Sequence, residues 1–162
     1  MADDTARGYG IILLTFVVAL TLAILPFPLW LQWGRPEWVA LTLIYWAIAL
    51  PERVGIATAL VLGIGLDILE GAVLGQNAFG LVVVVLLSLV MYQRLRVYSL
   101  WQQSAVVFIL VGINQLICQW VQNLEGMGAT STLFLLPALS SALLWPVILH
   151  FLRGLRREYR VS

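Results

Sequence analysis

The sequence predicts an all-α integral membrane protein, a polytopic bundle of about six transmembrane helices, and three observations lead there. Of 162 residues, 62% are hydrophobic and 10% charged, whereas an ordinary soluble domain carries roughly a quarter charged residues. The apolar residues come in runs with no polar face, as they do where lipid is the solvent on all sides. Short segments of proline, glycine and charged residues separate those runs.

Six apolar stretches follow in order: 9–31, 38–50, 54–69, 78–92, 99–124 and 132–152. The first begins with Tyr9 to Leu25, 17 residues without a charge. That is longer than the apolar region of about 7–15 residues in a signal peptide, and no small-residue cleavage site precedes Pro26, so it reads as a retained helix. Pro26, Pro28, Gly34 and Pro36 break the chain after it. Trp30, Trp33 and Trp38 cluster there, at the headgroup level their rings prefer, which places the end of the first helix among them. Pro51-Glu52-Arg53 separates the second and third stretches, and Glu70-Gly71 to Gln76-Asn77 the third and fourth. Stretches two to four hold only 13 to 16 residues, below the roughly 20 that cross a bilayer comfortably. Gln93 to Tyr98 and Glu125 to Gly128 divide the rest. With no repeat and no linker, residues 1–162 form a single transmembrane domain. A short cytoplasmic segment, 1–8, precedes it, and a basic cytoplasmic tail, 153–162, ends it.

Arginine placement orients the bundle, because cytoplasmic loops collect positive charge. All nine basic residues are arginine. Six spans with both termini inside put Arg7, Arg53, Arg94, Arg96, Arg153, Arg156, Arg157 and Arg160 on the inner side and Arg35 alone outside. A four-span version, in which stretches two and three form a re-entrant hairpin, moves only Arg53. The net charge of +1 is too small and scattered for a nucleic-acid surface. Cys118 has no partner cysteine, so neither a disulfide nor a thiolate metal site is expected.

Asp67 is the first candidate for chemistry, since a carboxylate at membrane depth is costly. The favoured reading is a helix-end carboxylate bonded to the Gly71 to Asn77 loop; the sharper one is a ligand or proton site. Gly63, Gly65, Gly71, Gly75 and Gly80 around it permit close helix packing or an unwound segment. In the fifth stretch Gln115, Gln119 and Gln122 fall within about 60° of one helix face. With Asp67, Gln76 and Asn77 they form a polar layer in the outer half of the bilayer, either interhelical hydrogen bonds or the lining of a pocket open to the outside. His150 stands alone, with Ser140 and Ser141 about 14 Å away along the same helix, and no zinc or phosphate-loop motif is present. No catalytic residue, metal or cofactor is therefore expected, and an enzyme assembled from several helices is disfavoured because Asp67 and His150 sit near opposite faces.

Arg35-Pro36-Glu37-Trp38, Tyr45-Trp46, Ala49-Leu50-Pro51-Glu52-Arg53-Val54, then Gly65-Leu66-Asp67-Ile68-Leu69 with Gly71 and Leu74-Gly75, and the arginine-rich end resemble the rod shape-determining family MreD. The resemblance covers nearly the whole chain and is most specific from Arg35 to Phe79. It implies a non-enzymatic member of the bacterial elongation machinery in the cytoplasmic membrane. Its implied partners are an MreC-like single-span protein, the RodA glycosyltransferase with its transpeptidase partner, and MreB. It also implies distant similarity to the substrate-binding subunits of energy-coupling-factor transporters, six-helix bundles with an outward-open pocket. Taken with the absence of a soluble domain, this predicts a membrane scaffold that acts by lateral binding of partner helices. Arg35, Pro36, Pro51, Arg53, Asp67, Gly71 and Gly75 are its candidate motif. The alternative is a small-molecule-binding transporter subunit.

Overall fold

The computed structural model describes residues 2–128 and 131–161; Met1, Ala129, Thr130 and Ser162, which the single-domain expectation takes in, lie outside them. Among the described residues the regular structure is helical, in the order α1 (Ala2–Ile24), α2 (Leu29–Gln32), α3 (Trp38–Ala49), α4 (Ile56–Glu70), α5 (Gln76–Leu95), α6 (Leu100–Leu124) and α7 (Leu136–Glu158). A 3-10 turn, Thr132–Leu135, leads into α7.

Each long helix buries one stripe and leaves the rest of its apolar surface outward. In α1 the stripe is Ile12, Thr15, Phe16, Ala19 and Ala23, while Leu13, Leu14, Val17 and Val18 are exposed. In α4 it is Ala59, Leu62, Gly63, Leu66 and Asp67, and in α5 it runs from Gln76 through Gly80 and Val84 to Ser88. The 3–4 residue spacing is that of one helix face. A soluble protein would make the opposite faces polar; here they are apolar, the pattern of a bundle solvated by lipid. α1, α5, α6 and α7, the last with its 3-10 turn, are each long and apolar enough to cross a membrane.

Helix α3 is the exception and the centre. Ten of its 12 residues are buried, and it packs against α1, α5, α6 and α7. A helix enclosed by helices on most of its surface has little lipid-facing area, so its length of about 18 Å is set by its neighbours rather than by the bilayer. The Trp46 indole N–H donates to Thr15 Oγ1 of α1 at 2.9 Å, and Thr15 in turn donates to Ile12 O at 2.7 Å. Both polar groups are thereby satisfied inside the core.

Several boundaries differ from the sequence expectation: α1 already begins at Ala2, within the segment 1–8 read as preceding it, and α7 runs on to Glu158, into the tail read as 153–162. Helix α1 ends at Ile24 rather than among the tryptophans, because Pro26 and Pro28 supply no N–H to continue it; Trp30 sits in the single turn of α2 and Trp33 just after it. Helix α5 has 20 residues, not 15, since Gln76, Asn77 and the Gln93–Leu95 segment are helical despite their polarity. Helices α3 and α4 run between the two ends of the bundle. The turn between them brings the Arg53 guanidinium over the Tyr9 ring, 4.9 Å from its centroid, and beside Gly8 and Val161. That places Arg53 with both chain ends.

Candidate functional site

The end of the bundle opposite the termini carries Glu37, Asp67, Glu70 and Glu125, four of the eight acidic residues. Asp67 is 1% exposed, and its two oxygens are both used: Oδ2 accepts from Gly75 N–H at 2.8 Å and Oδ1 from Asn77 N–H at 2.9 Å. It thus satisfies the first free amides of α5 from the last turn of α4. The intervening loop is turned by Gly71 and Gly75, with φ of 64° and 97°, a conformation that side chains disfavour. Ala72 N–H donates to Asp67 O at 2.9 Å, closing α4. No atom lies within 4 Å of where a Cβ would stand on Gly71 or Gly75. These two glycines serve the turn rather than a close helix approach. The close approaches are elsewhere, with Gly63 against the Ala78 backbone and Gly80 against the Asn114 side chain.

Asn77 extends the cluster. Its Nδ2 donates to Glu70 Oε2 at 3.3 Å, and the Cys118 thiol donates to its Oδ1 at 3.6 Å. Glu37, in the segment between α2 and α3, accepts from Gln115 Nε2 at 2.6 Å, and its backbone N–H donates to Ser141 Oγ of α7 at 2.9 Å. Burial, with the Glu70 carboxylate second, pushes the Glu37 carboxyl up to about 7, against the hydrogen bond from Gln115 and the charge of Arg35. Arg35 itself donates to Leu22 O at 3.4 Å and lies over the Phe27 ring, and Pro36 precedes Glu37 in the same segment.

The polar layer is therefore assembled differently from the expected one. The buried stripe of α6 passes through Asn114 and Cys118, one residue ahead of the glutamines. Gln115 reaches Glu37, Gln119 bonds Asn123 one turn on in its own helix at 3.3 Å, and Gln122 is half-buried. Glu37, Asn114 and Cys118 were missed. Glu37 gives no sequence signal besides its place in the Arg35 motif, and Asn114 would have been found by setting the helix phase on Val107, Leu110, Val111 and Cys118, whose face it shares.

At the arginine-rich end, Pro51 follows α3 and opens the turn that carries Arg53. Arg96, in the α5–α6 connection, closes the same helix: its Nε donates to Ile48 O at 2.9 Å and its Nη2 to Ala49 O at 3.0 Å, meeting carbonyls that a helix end leaves free. Gln103 Nε2 donates to Leu95 O at 2.9 Å, and Trp145 Nε1 donates to Gln103 Oε1 at 3.2 Å, which ties α5, α6 and α7 together. His150 is exposed, and Ser140 Oγ donates to Pro137 O at 3.0 Å. Among the described residues no group of three His, Cys, Asp or Glu is placed to hold a metal.

The side of the bundle has its own feature. A groove of about 260 Å³ lies over α3 between α1 and α7, walled by Leu14, Val18 and Leu22 on one side and Ile148, Phe151 and Leu155 on the other. Trp38 stands in its lining, and the indole N–H of that residue is buried without a hydrogen-bond partner.

The model of the rod shape-determining protein MreD family matches residues 6–155. The chain belongs to the MreD family. A relative in Haemophilus influenzae, the rod shape-determining protein MreD, is 33% identical over 150 residues, 93% of each chain. No solved structure matches. Membership in the MreD family ties this bundle to the determination of rod shape and accounts for its membrane character. The matched span takes in the carboxylate end, the arginine-rich turn and both walls of the groove.

Proposed function

We propose that this MreD-family chain is a scaffold of the cell-elongation machinery in the bacterial cytoplasmic membrane, with both termini cytoplasmic, and that it works by seating the transmembrane helix of an MreC-like single-span partner. RodA with its transpeptidase, and MreB, would be gathered through that complex. The groove between α1 and α7 carries this reading. Its walls are apolar side chains two turns deep, the surface into which a helix can lay its own side chains, and its floor α3 is already fully packed. In lipid such an association rests on close fit and hydrogen bonds rather than on burial from water. The Trp38 N–H is an unmet donor that a hydroxyl or carbonyl of the partner would satisfy.

The test places tryptophan at Leu14, Val18 and Phe151 in the groove and at Val90 and Leu143 on other outward faces, then measures folded yield and recovery of the partner from native membrane. The groove variants are expected to lose most of the partner while keeping the yield, and Val90→Trp and Leu143→Trp to keep both. If no position separates the two readouts, the scaffold reading fails. A stoichiometric small molecule in the purified chain would put a transporter-type subunit in its place.

A further inference from the structure

The arginine-rich end holds a second concavity, of about 290 Å³, enclosed by α3, the α5–α6 connection, α6 and α7. Its walls divide by chemistry. Ile48, Ala49 and Leu149 form an apolar side, and Arg96, Arg153 and Arg156 a cationic one, with Tyr45 and Gln103 also in the lining. A neighbouring concavity of about 350 Å³ shares Arg153 and Arg156 and adds Arg157. Neither lining contains a carboxylate.

Two of the three arginines are held by hydrogen bonds that do not use up their donors. A guanidinium has five N–H donors. Arg96 spends one on Ile48 O and one on Ala49 O, which fixes its plane and leaves the remainder free. Arg156 spends its Nε on Val161 O. The independent sign of a ligand is Tyr45: it is 4% exposed, it lines the concavity, and its hydroxyl proton has no acceptor, the neighbouring Arg156 guanidinium being only a donor. Arg153 acts on that hydroxyl by its charge, and Arg156 by its charge and as a donor towards the oxygen. A buried hydroxyl whose proton has no acceptor is costly, and guanidiniums gathered without a counter-charge repel one another. A multiply accepting anion relieves both.

We propose that this concavity binds a phosphate group, with Arg96, Arg153 and Arg156 as its charge partners and the Tyr45 hydroxyl as an added donor. Planar forked donors match phosphate oxygens. The apolar wall of Ile48 and Leu149 beside the charges suits the phosphate of an anionic lipid, whose glycerol and chains would follow that wall into the bilayer; basic pockets between helices at this level are of the kind that hold such headgroups. The bound phosphate would then brace the C-terminal ends of α3 and α7 against the α5–α6 connection.

The experiment uses the full chain in a zwitterionic detergent, with native mass spectrometry during titration by short-chain phosphatidylglycerol, phosphatidylcholine and inorganic phosphate. Saturable binding of one phosphatidylglycerol is expected, weakened about tenfold by R153Q or R156Q, since each removes a charge-assisted contact. The R94Q variant removes an arginine from the same end but outside the concavity and is expected to bind as the parent does. Tyr45→Phe keeps the ring packing and deletes only the hydroxyl; a weakening of about threefold is expected for one hydrogen bond. Displacement by equimolar inorganic phosphate keeps the phosphate site and makes its source soluble, whereas no displacement assigns it to lipid. Equal affinity for phosphatidylcholine, or an equal loss in R94Q, overturns the proposal.

Discussion

Asp67 shows how a charge can be tolerated at membrane depth. Its two oxygens receive two backbone N–H groups, so the carboxylate is bonded on both sides and in turn closes the entry to α5. Asp67→Asn retains one acceptor and sets an amide NH2 against the second N–H. Loss of that bond should lower stability by about 1–3 kcal/mol, and Asp67→Leu, which strands both, by about twice as much; thermal unfolding in detergent measures both. Near-normal stability of Asp67→Asn with complete loss of cell-shape rescue would point instead to a proton or cation role. Glu37 gives a second prediction, in pH. Burial pushes its carboxyl up to about 7 from an ordinary 4.5, so between those limits the folded state holds more protons than the unfolded one and stability falls as pH rises. Glu37→Gln keeps an acceptor for Gln115 and removes the titration. The parent should melt below this variant at pH 8, and the gap should close below about pH 4.5. A gap independent of pH would remove the titration argument. The sequence showed Asp67 because intramembrane carboxylates are rare. It could not show Glu37 as a member of the cluster, since the distance to Gln115 is closed by tertiary packing across 78 positions.

Between elements, small residues matter only where two backbones meet. Gly63 and Gly65 lie two positions apart in α4, yet a Cβ on Gly63 would stand 2.6 Å from Ala78 N of α5, and a Cβ on Gly65 would meet nothing within 4 Å. Gly63→Ala should therefore force α4 and α5 apart at a cost of about 1–3 kcal/mol or more. Gly65→Ala should be neutral or stabilise by about 0.5–1 kcal/mol through the helix-propensity gain. Equal effects on the melting temperature would contradict this packing. Glycine spacing in the sequence marks both alike, because it does not contain the helix phase. The existence and order of the helices were legible from hydropathy, and the prolines at 26 and 28 held the true end of α1. The central position of α3 was not. Its 12 residues look too few to cross, and only the packing of α1, α5, α6 and α7 around it explains why length does not limit it.

For the whole molecule, the two ends differ in charge. The turn at Arg53, the α5–α6 connection with Arg94 and Arg96, and the end of α7 gather on the side of both termini, while Glu37, Asp67, Glu70 and Glu125 occupy the other with Arg35. Insertion retains arginine-rich connections in the cytoplasm, so this asymmetry predicts that the carboxylate end faces outward. Cysteine labelling reads the orientation directly, in a Cys118→Ser background. The Cys118 thiol is buried and donates only a long bond to Asn77, and a serine hydroxyl retains the donor, so the background should fold. Gly34→Cys, in the α2–α3 connection where a side chain meets open space, should react with an impermeant maleimide added to intact cells. Arg160→Cys and the exposed Glu52→Cys should react only after the membrane is opened. Labelling at 160 in intact cells reverses the orientation. Labelling at 52 but not at 160 would mean that the α3–α4 hairpin turns back within the membrane, and the Arg53 contact with Tyr9 would have to be abandoned.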